Sequence, residues 1–262
     1  MMTSLTTSKF RTLFGLFALI SGVLSGTAIA AEQAGGNLHI SGGIAMPSNS
    51  TSVFTNPAGM VAAPTALVLQ AGAPEVWQNG TYRAGLQTGS SSYGVAAGIE
   101  HRDRASNDPK LVYYGLAVGV PAFSLGLAGK TGISHADGTT LNAGALFTAG
   151  STAKIGLTAR GIDDGVNEFG AGVAFEVSSG VNLVFDAAAD DDFDNLEMKP
   201  GLKVGNEVAA LTVSYGTGPR EQFADDFTAG GSYRFASSSL LEVQYNAGGD
   251  LSKYFASLTW AF

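Results

Sequence analysis

Residues 252–262 read SKYFASLTWAF. Tyr254, Ala256, Leu258, Trp260 and Phe262 fall on one side of an extended chain, and Lys253, Phe255, Ser257, Thr259 and Ala261 on the other. Side chains alternate faces along a strand, so the segment has one mostly apolar, aromatic-tipped face and one mixed polar face. The same alternation recurs upstream. From Ala66 onward the chain divides into about fourteen segments of roughly eight to twelve residues, each bounded by turn chemistry. They are Ala66–Ala73, Thr81–Thr88, Ser92–His101, Lys110–Val120, Ala122–Gly132, Thr140–Ala149 and Thr152–Gly161 in the first half. Asn167–Val177, Val181–Ala188, Leu196–Val204, Glu207–Gly216, Phe227–Ala236, Ser239–Ala247 and Ser252–Phe262 follow.

The connectors alternate in kind. Gly89–Ser91, Pro121, Gly150–Ser151, Ser178–Gly180, Gly205–Asn206 and Ser237–Ser238 are short. Arg102–Pro109, Ile133–Thr139, Ile162–Val166, Ala189–Asn195 and Thr217–Asp226 are longer and more charged. Transmembrane barrels of the bacterial outer membrane have tight periplasmic turns and longer external loops in this order. Soluble β-sandwiches also have many short strands but rarely sort their turns this way. The expected fold is therefore all-β: a transmembrane antiparallel β-barrel of about 14 strands with an amino-terminal plug segment.

The facing of each strand follows from the cost of charge. An outward charge near a bilayer midplane costs about 2–4 kcal/mol, so the charged register points into the lumen. That register holds Arg83, Glu100, Lys130, Lys154, Arg160, Glu168 and Glu176 in the first half of the barrel. Asp186, Glu197, Lys199, Lys203, Arg234, Glu242 and Lys253 belong to it in the second. Both signs are interleaved, which suits cross-strand pairing together with a water-filled passage. Leu111, Tyr113, Leu146, Val184, Val208, Leu240 and Phe255 share the inward register and allow an apolar patch. Tyr82, Tyr93, Tyr114, Phe123, Tyr215, Phe227, Tyr233, Phe235, Tyr254, Trp260 and Phe262 sit near strand ends on the opposite register, where an aromatic girdle belongs.

The amino end predicts export. Lys9 and Arg11 precede an apolar run, Leu13–Leu24, and Ala28-Ile29-Ala30 offers the small residues of a signal-peptidase site. Residues 1–30 are read as a cleaved signal, because the apolar run is shorter than the roughly 20 residues of a spanning helix. Residues 31–64 are read as the plug and 65–262 as the barrel. Without residues 1–30 the formal charge moves from −8 to −10, 12 basic against 22 acidic residues. That balance excludes a nucleic-acid partner, which requires a basic face. There is no cysteine, and charged residues make up only 14%, as expected where one face of every strand meets lipid. The tail resembles the closing strand of outer-membrane barrels, and Tyr254, Trp260 and Phe262 are the expected signal to the barrel-assembly machinery.

Glu32–Pro64 does not alternate. It carries Gly35-Gly36, Gly42-Gly43, Pro47, Pro57 and Pro64, and reads as a compact irregular segment. Within it Asn56-Pro57 sets a rigid turn, and Gly59 permits close packing or unusual backbone angles. An Asn-Pro-Ala sequence at this place, just after a signal and just before a barrel of this strand count, resembles the FadL-type family of outer-membrane channels for hydrophobic compounds. The resemblance implies a hatch motif at Asn56, Pro57, Ala58 and Gly59, and passive uptake of small molecules, hydrophobic ones such as fatty acids among them. The chain departs from that family in its short loops and its mixed-charge lumen. A general small porin and a structural or adhesion barrel without transport are the alternatives.

No cofactor or metal is expected. Asp190, Asp191, Asp192 and Asp194 form an acidic loop that could take a divalent cation shared with lipopolysaccharide, or simply be solvated. An enzyme would need a histidine beside a carboxylate or serine. His39, His101 and His135 are the three present, and no motif surrounds them. The expected partners are outer-membrane lipid and lipopolysaccharide, the assembly machinery and a small solute, at the outer membrane of a Gram-negative bacterium. Replacing Phe262 with Asp is expected to lower the outer-membrane yield of folded protein, measured by cell fractionation; an unchanged yield would remove the assembly role from this residue.

Overall fold

A computed structural model describes residues 43–262 except 49, 62, 74–79, 103–109, 121, 134–138, 151, 164, 194–195, 218–225, 236–238 and 248–253. The expected signal segment, the first part of the plug and Lys253 lie outside the described residues.

Fourteen strands form one closed antiparallel barrel, each paired with its neighbours in sequence. They are β1 Ala66–Ala73, β2 Thr81–Gly89, β3 Tyr93–Arg102, β4 Lys110–Val120, β5 Phe123–Gly132, β6 Thr139–Ala149 and β7 Ala153–Arg160. β8 Glu168–Ser178, β9 Val181–Asp190, β10 Glu197–Gly205, β11 Ala209–Gly216, β12 Asp226–Arg234, β13 Leu240–Ala247 and β14 Tyr254–Ala261 complete it. All fourteen expected strands are present, and their bounds differ from the sequence reading by two residues at most. The tail closes the wall: Ala66 pairs with Ala261 at one end of the seam and Ala73 with Tyr254 at the other.

Alternation decides what each strand shows to either side. On β2, Arg83 and Gln87 are buried in the interior while Leu86 is exposed outside. On β14, Phe255, Ser257 and Thr259 are buried while Trp260 is exposed. The outer face is a belt of exposed Leu, Val, Ile and Phe, with the pair Leu116 and Leu127 at its middle. Aromatic pairs sit at its borders. Phe235 meets Trp260 edge-on and Phe123 lies 4.8 Å from Phe147 near the short turns; Tyr245 meets Tyr254 and Phe169 stacks on Phe193 near the long loops. Such a two-bordered apolar belt suits a hydrocarbon slab between two polar interfaces. Tyr114 differs from its expected place near a strand end. Its ring lies across Gly129 of the neighbouring strand, further down the wall, where the missing side chain makes room.

The described residues of 43–61 lie inside the barrel, with the turn at Pro57–Met60 against β3–β6. The segment is more ordered than its composition suggests: helix α1 (Ser52–Thr55) runs into a 3-10 turn (Pro57–Met60). Pro57 opens that turn, where its fixed φ and missing N–H carry no penalty, and the Asn56 side chain accepts from the Ala58 N–H at 3.2 Å as its cap. Leu127→Arg, which puts a charge in mid-belt, is expected to lower barrel stability by about 2–4 kcal/mol in reversible folding into lipid. A loss under about 0.5 kcal/mol would show that lipid does not contact this face.

Candidate functional site

The site is the barrel interior, where residues 43–61 meet the inner wall. Its seat is made by glycines on successive strands: Gly94, Gly115, Gly126, Gly144 and Gly156 of β3–β7 all face this segment. A Cβ on Gly126 would overlap the backbone between Pro57 and Ala58, and one on Gly144 would overlap the Asn56 side-chain oxygen. The wall is thus shaped by omission, and a side chain at either place would expel the motif. Val53, Phe54 and Met60 fill the rest of the contact, packing on Ala96, Tyr113, Ala117 and Ala128.

Hydrogen bonds pin the segment to nearly every side of the wall. Asn56, fully buried, donates through Nδ2 to the Ile44 carbonyl at 2.9 Å and to the Ala145 carbonyl of β6 at 3.1 Å. Ser124 of β5 donates to the Ala58 carbonyl at 3.0 Å. Across the barrel, Gln70 of β1 donates to the Ser50 carbonyl at 2.7 Å. The Glu242 carboxylate of β13 accepts from Ser48 at 3.2 Å and from Ser50. Asp186 of β9 accepts from the Ile44 N–H at 3.1 Å. Buried polar groups are costly without partners, so each of these ties the position of the segment to one register of the wall.

The hatch motif and the charged positions expected from sequence can now be placed. Asn56, Pro57 and Ala58 are buried at the wall, and Gly59 packs against Pro47 and Ser52, where a Cβ would overlap Pro47. Arg83, Glu100 and Lys130 gather with Arg102, which the sequence reading left out of the register. Arg83 Nε lies 2.5 Å, Arg102 Nε 2.6 Å and Lys130 Nζ 3.1 Å from the Glu100 carboxylate. Arg102 sits at the end of β3, on the border of a predicted loop. The alternation from Glu100 would have placed it inward. Arg160 pairs with Glu168 at 2.7 Å, and Lys199 donates to Thr228 at 3.0 Å. Asp186 and Glu242 hold the inner segment as described, and Glu197 is buried on β10. Lys203 and Arg234 lie toward the short-turn end, where Arg234 donates to the Glu207 carbonyl. Lys154 and Glu176 stand exposed at that rim, and Glu176 accepts from the Gly180 N–H of a turn. Val208 is exposed in a connector instead of turning inward. His101 faces outward and stacks on Tyr82.

Toward the long loops the inner segment leaves a cavity of about 110 Å³ against β8–β13. Ile44, Thr55 and Val184 line it, with Lys199, Thr212, Thr228 and Gln244 on the facing wall. Among the described residues, no three acidic, histidine or cysteine side chains converge as a metal site.

Gly126→Val is expected to loosen the motif, seen as faster hydrogen–deuterium exchange at residues 52–60 with the strand amides unchanged. Unaltered exchange at 52–60 would show that the glycine seat does not hold it.

No protein-family model matches the chain, and no curated protein matches it in sequence. Solved structures share its architecture. The CymD monoaromatic hydrocarbon channel superposes with a TM-score of 0.57 at 12% identity, covering 84% of this chain and 94% of that one. A mutant of the Rh. blastica porin aligns with a TM-score of 0.45 at 8% identity, over 75% of this chain and 97% of that one. What this chain has in common with CymD at such identity is the fold: a closed antiparallel barrel.

Proposed function

We propose that this protein is a bacterial outer-membrane channel through which small molecules diffuse when the inner segment, residues 43–61, leaves its seat. One observation carries the reading: a barrel with an apolar outer belt holds, across its lumen, a segment fastened by hydrogen bonds and not by a continuous sheet. Such fastenings are individually worth about 0.5–1.5 kcal/mol, or about 1.5–3 kcal/mol at a charged acceptor such as Glu242, and can be exchanged one at a time. A permanent structural wall needs no removable filling.

A cavity of about 110 Å³ is below the roughly 150 Å³ that accommodates benzene, so a single ring already requires the segment to yield, and a long acyl chain requires more. An apolar floor of Ile44 and Val184 beside Lys199, Thr228 and Gln244 suits a solute with an apolar body and a polar group. The CymD channel, which has the same kind of barrel, is described as serving monoaromatic hydrocarbons, which favours hydrophobic solutes of modest size. The interleaved charges on the wall favour the second reading, a general small porin, and conductance separates the two.

In planar bilayers the full chain is expected to conduct little, and deletion of residues 32–60 to raise conductance several-fold. Equal conductance of the two would show that the segment does not close the lumen. Silence of both would remove the channel reading.

A further inference from the structure

Phe54 is the one ring of the inner segment that reaches the cation cluster of β2, β3 and β5. Its face lies 4.0 Å from Arg83 Cζ and 5.2 Å from Lys130 Nζ, while its edge meets Tyr113 at 4.9 Å. Arg83 cannot shed its charge, and it is almost wholly buried. Its guanidinium is only partly served. Nε is bonded to Glu100, Nη1 reaches Gln70 at a long 3.5 Å, and Nη2 has no partner among the described residues. The Glu100 carboxylate cannot supply more, because Arg102 and Lys130 share its two oxygens. The ring therefore covers a cation whose fork is left half-used, and a ring face is a weaker partner than a carboxylate.

We propose that Arg83 and Lys130 form a recognition site for the carboxylate of a small organic acid, covered by Phe54 while the lumen is closed. An arriving carboxylate takes the Nη1 and Nη2 donors of Arg83 as a two-point pair, with Lys130 as second cation, and replaces the aromatic face. Access is from the long-loop end, where Arg102 and Lys130 keep 10% and 11% of their side chains exposed. Because Phe54 belongs to α1, displacing its ring loosens the same segment that Asn56 and Ser50 fasten. Solute arrival and release of the lumen are then one event. Binding and opening are reciprocal: whatever loosens the ring must tighten the acid.

The inference rests on the reading of the interior as a solute path, but its test does not. Sodium benzoate binding to the purified full chain in a zwitterionic detergent is followed by ligand-observed NMR at constant ionic strength, with sodium chloride as the balancing salt. Phe54→Leu is expected to tighten benzoate binding by about tenfold, the order of a desolvated cation–π contact. Arg83→Gln is expected to weaken it by at least about tenfold, the order of a lost charged pair. Circular dichroism and heat-dependent gel mobility verify that each variant is folded. Should Arg83→Gln fail to fold, Arg83→Lys keeps the charge without the fork and is expected to lose the preference for benzoate over chloride. Benzoate affinity unchanged by Phe54→Leu, or unchanged by loss of the Arg83 fork, overturns the site. Conductance after deletion of residues 32–60 tests the channel separately, so a silent barrel that still binds benzoate through Arg83 would overturn only the channel.

Discussion

The seam between β1 and β14 is the contact on which the other features depend. A sheet with an apolar outer face can be surrounded by hydrocarbon only if no edge is left with unpaired N–H and C=O groups. Here the last strand pairs along the whole of the first, from Ala66↔Ala261 to Ala73↔Tyr254. Closure turns the period of two into an inside and an outside. It thereby collects side chains from fourteen strands into one lumen and leaves the leucine-rich register outside. Without it, Arg83 on β2 and Glu100 on β3 would still be neighbours, but Glu242 on β13 and Gln70 on β1 could not both hold Ser50.

Closure also creates a space too wide to be filled by wall side chains alone, and the chain answers it in two ways. On β3–β7 the wall withdraws, with glycine facing inward, and the inner segment is pressed against the backbone itself. On β9–β13 the wall extends polar side chains that either reach the segment, as Asp186 and Glu242 do, or border the remaining cavity, as Thr212 and Gln244 do. The first side gives shape, with hydrogen bonds at Ser124 and Ala145, and the other holds the segment through carboxylates. A segment held this way is well placed yet separable, because its apolar anchors are two small clusters, one at Val53, Phe54 and Met60 and one at Ala45 and Met46.

Strand identity was legible because it is a local property. Ala66–Ala73 and Lys110–Val120 match their sequence-read bounds, and the remaining strands shift by small amounts where fraying at a turn decides the last pair. The inward phase of Arg83, Glu100 and Glu242 was legible for the same reason. The helical turns of residues 52–60 were not, since a four-residue helix has no periodicity to detect. Nor was the partner of Asn56, whose nitrogen binds a carbonyl 89 positions away. Tyr114 shows the same limit: its place over Gly129 depends on which residue the neighbouring strand offers opposite it.

The sequence by itself determined the strand count, the alternation of turns and loops and the inward phase of charges in mid-strand such as Arg83, Glu100 and Glu242. These rest on period-two patterning and turn chemistry, which act over a few residues. Only the tertiary structure decided which inward glycines form the seat, that Arg102 joins Glu100, that Phe54 covers Arg83 and how much lumen is left. Each of these joins residues from separate strands, or from the wall and the inner segment. Their meeting is set by closure and register and not by anything within one stretch of chain. β14 supplies that closure by pairing with β1, and the contents of the lumen follow from it.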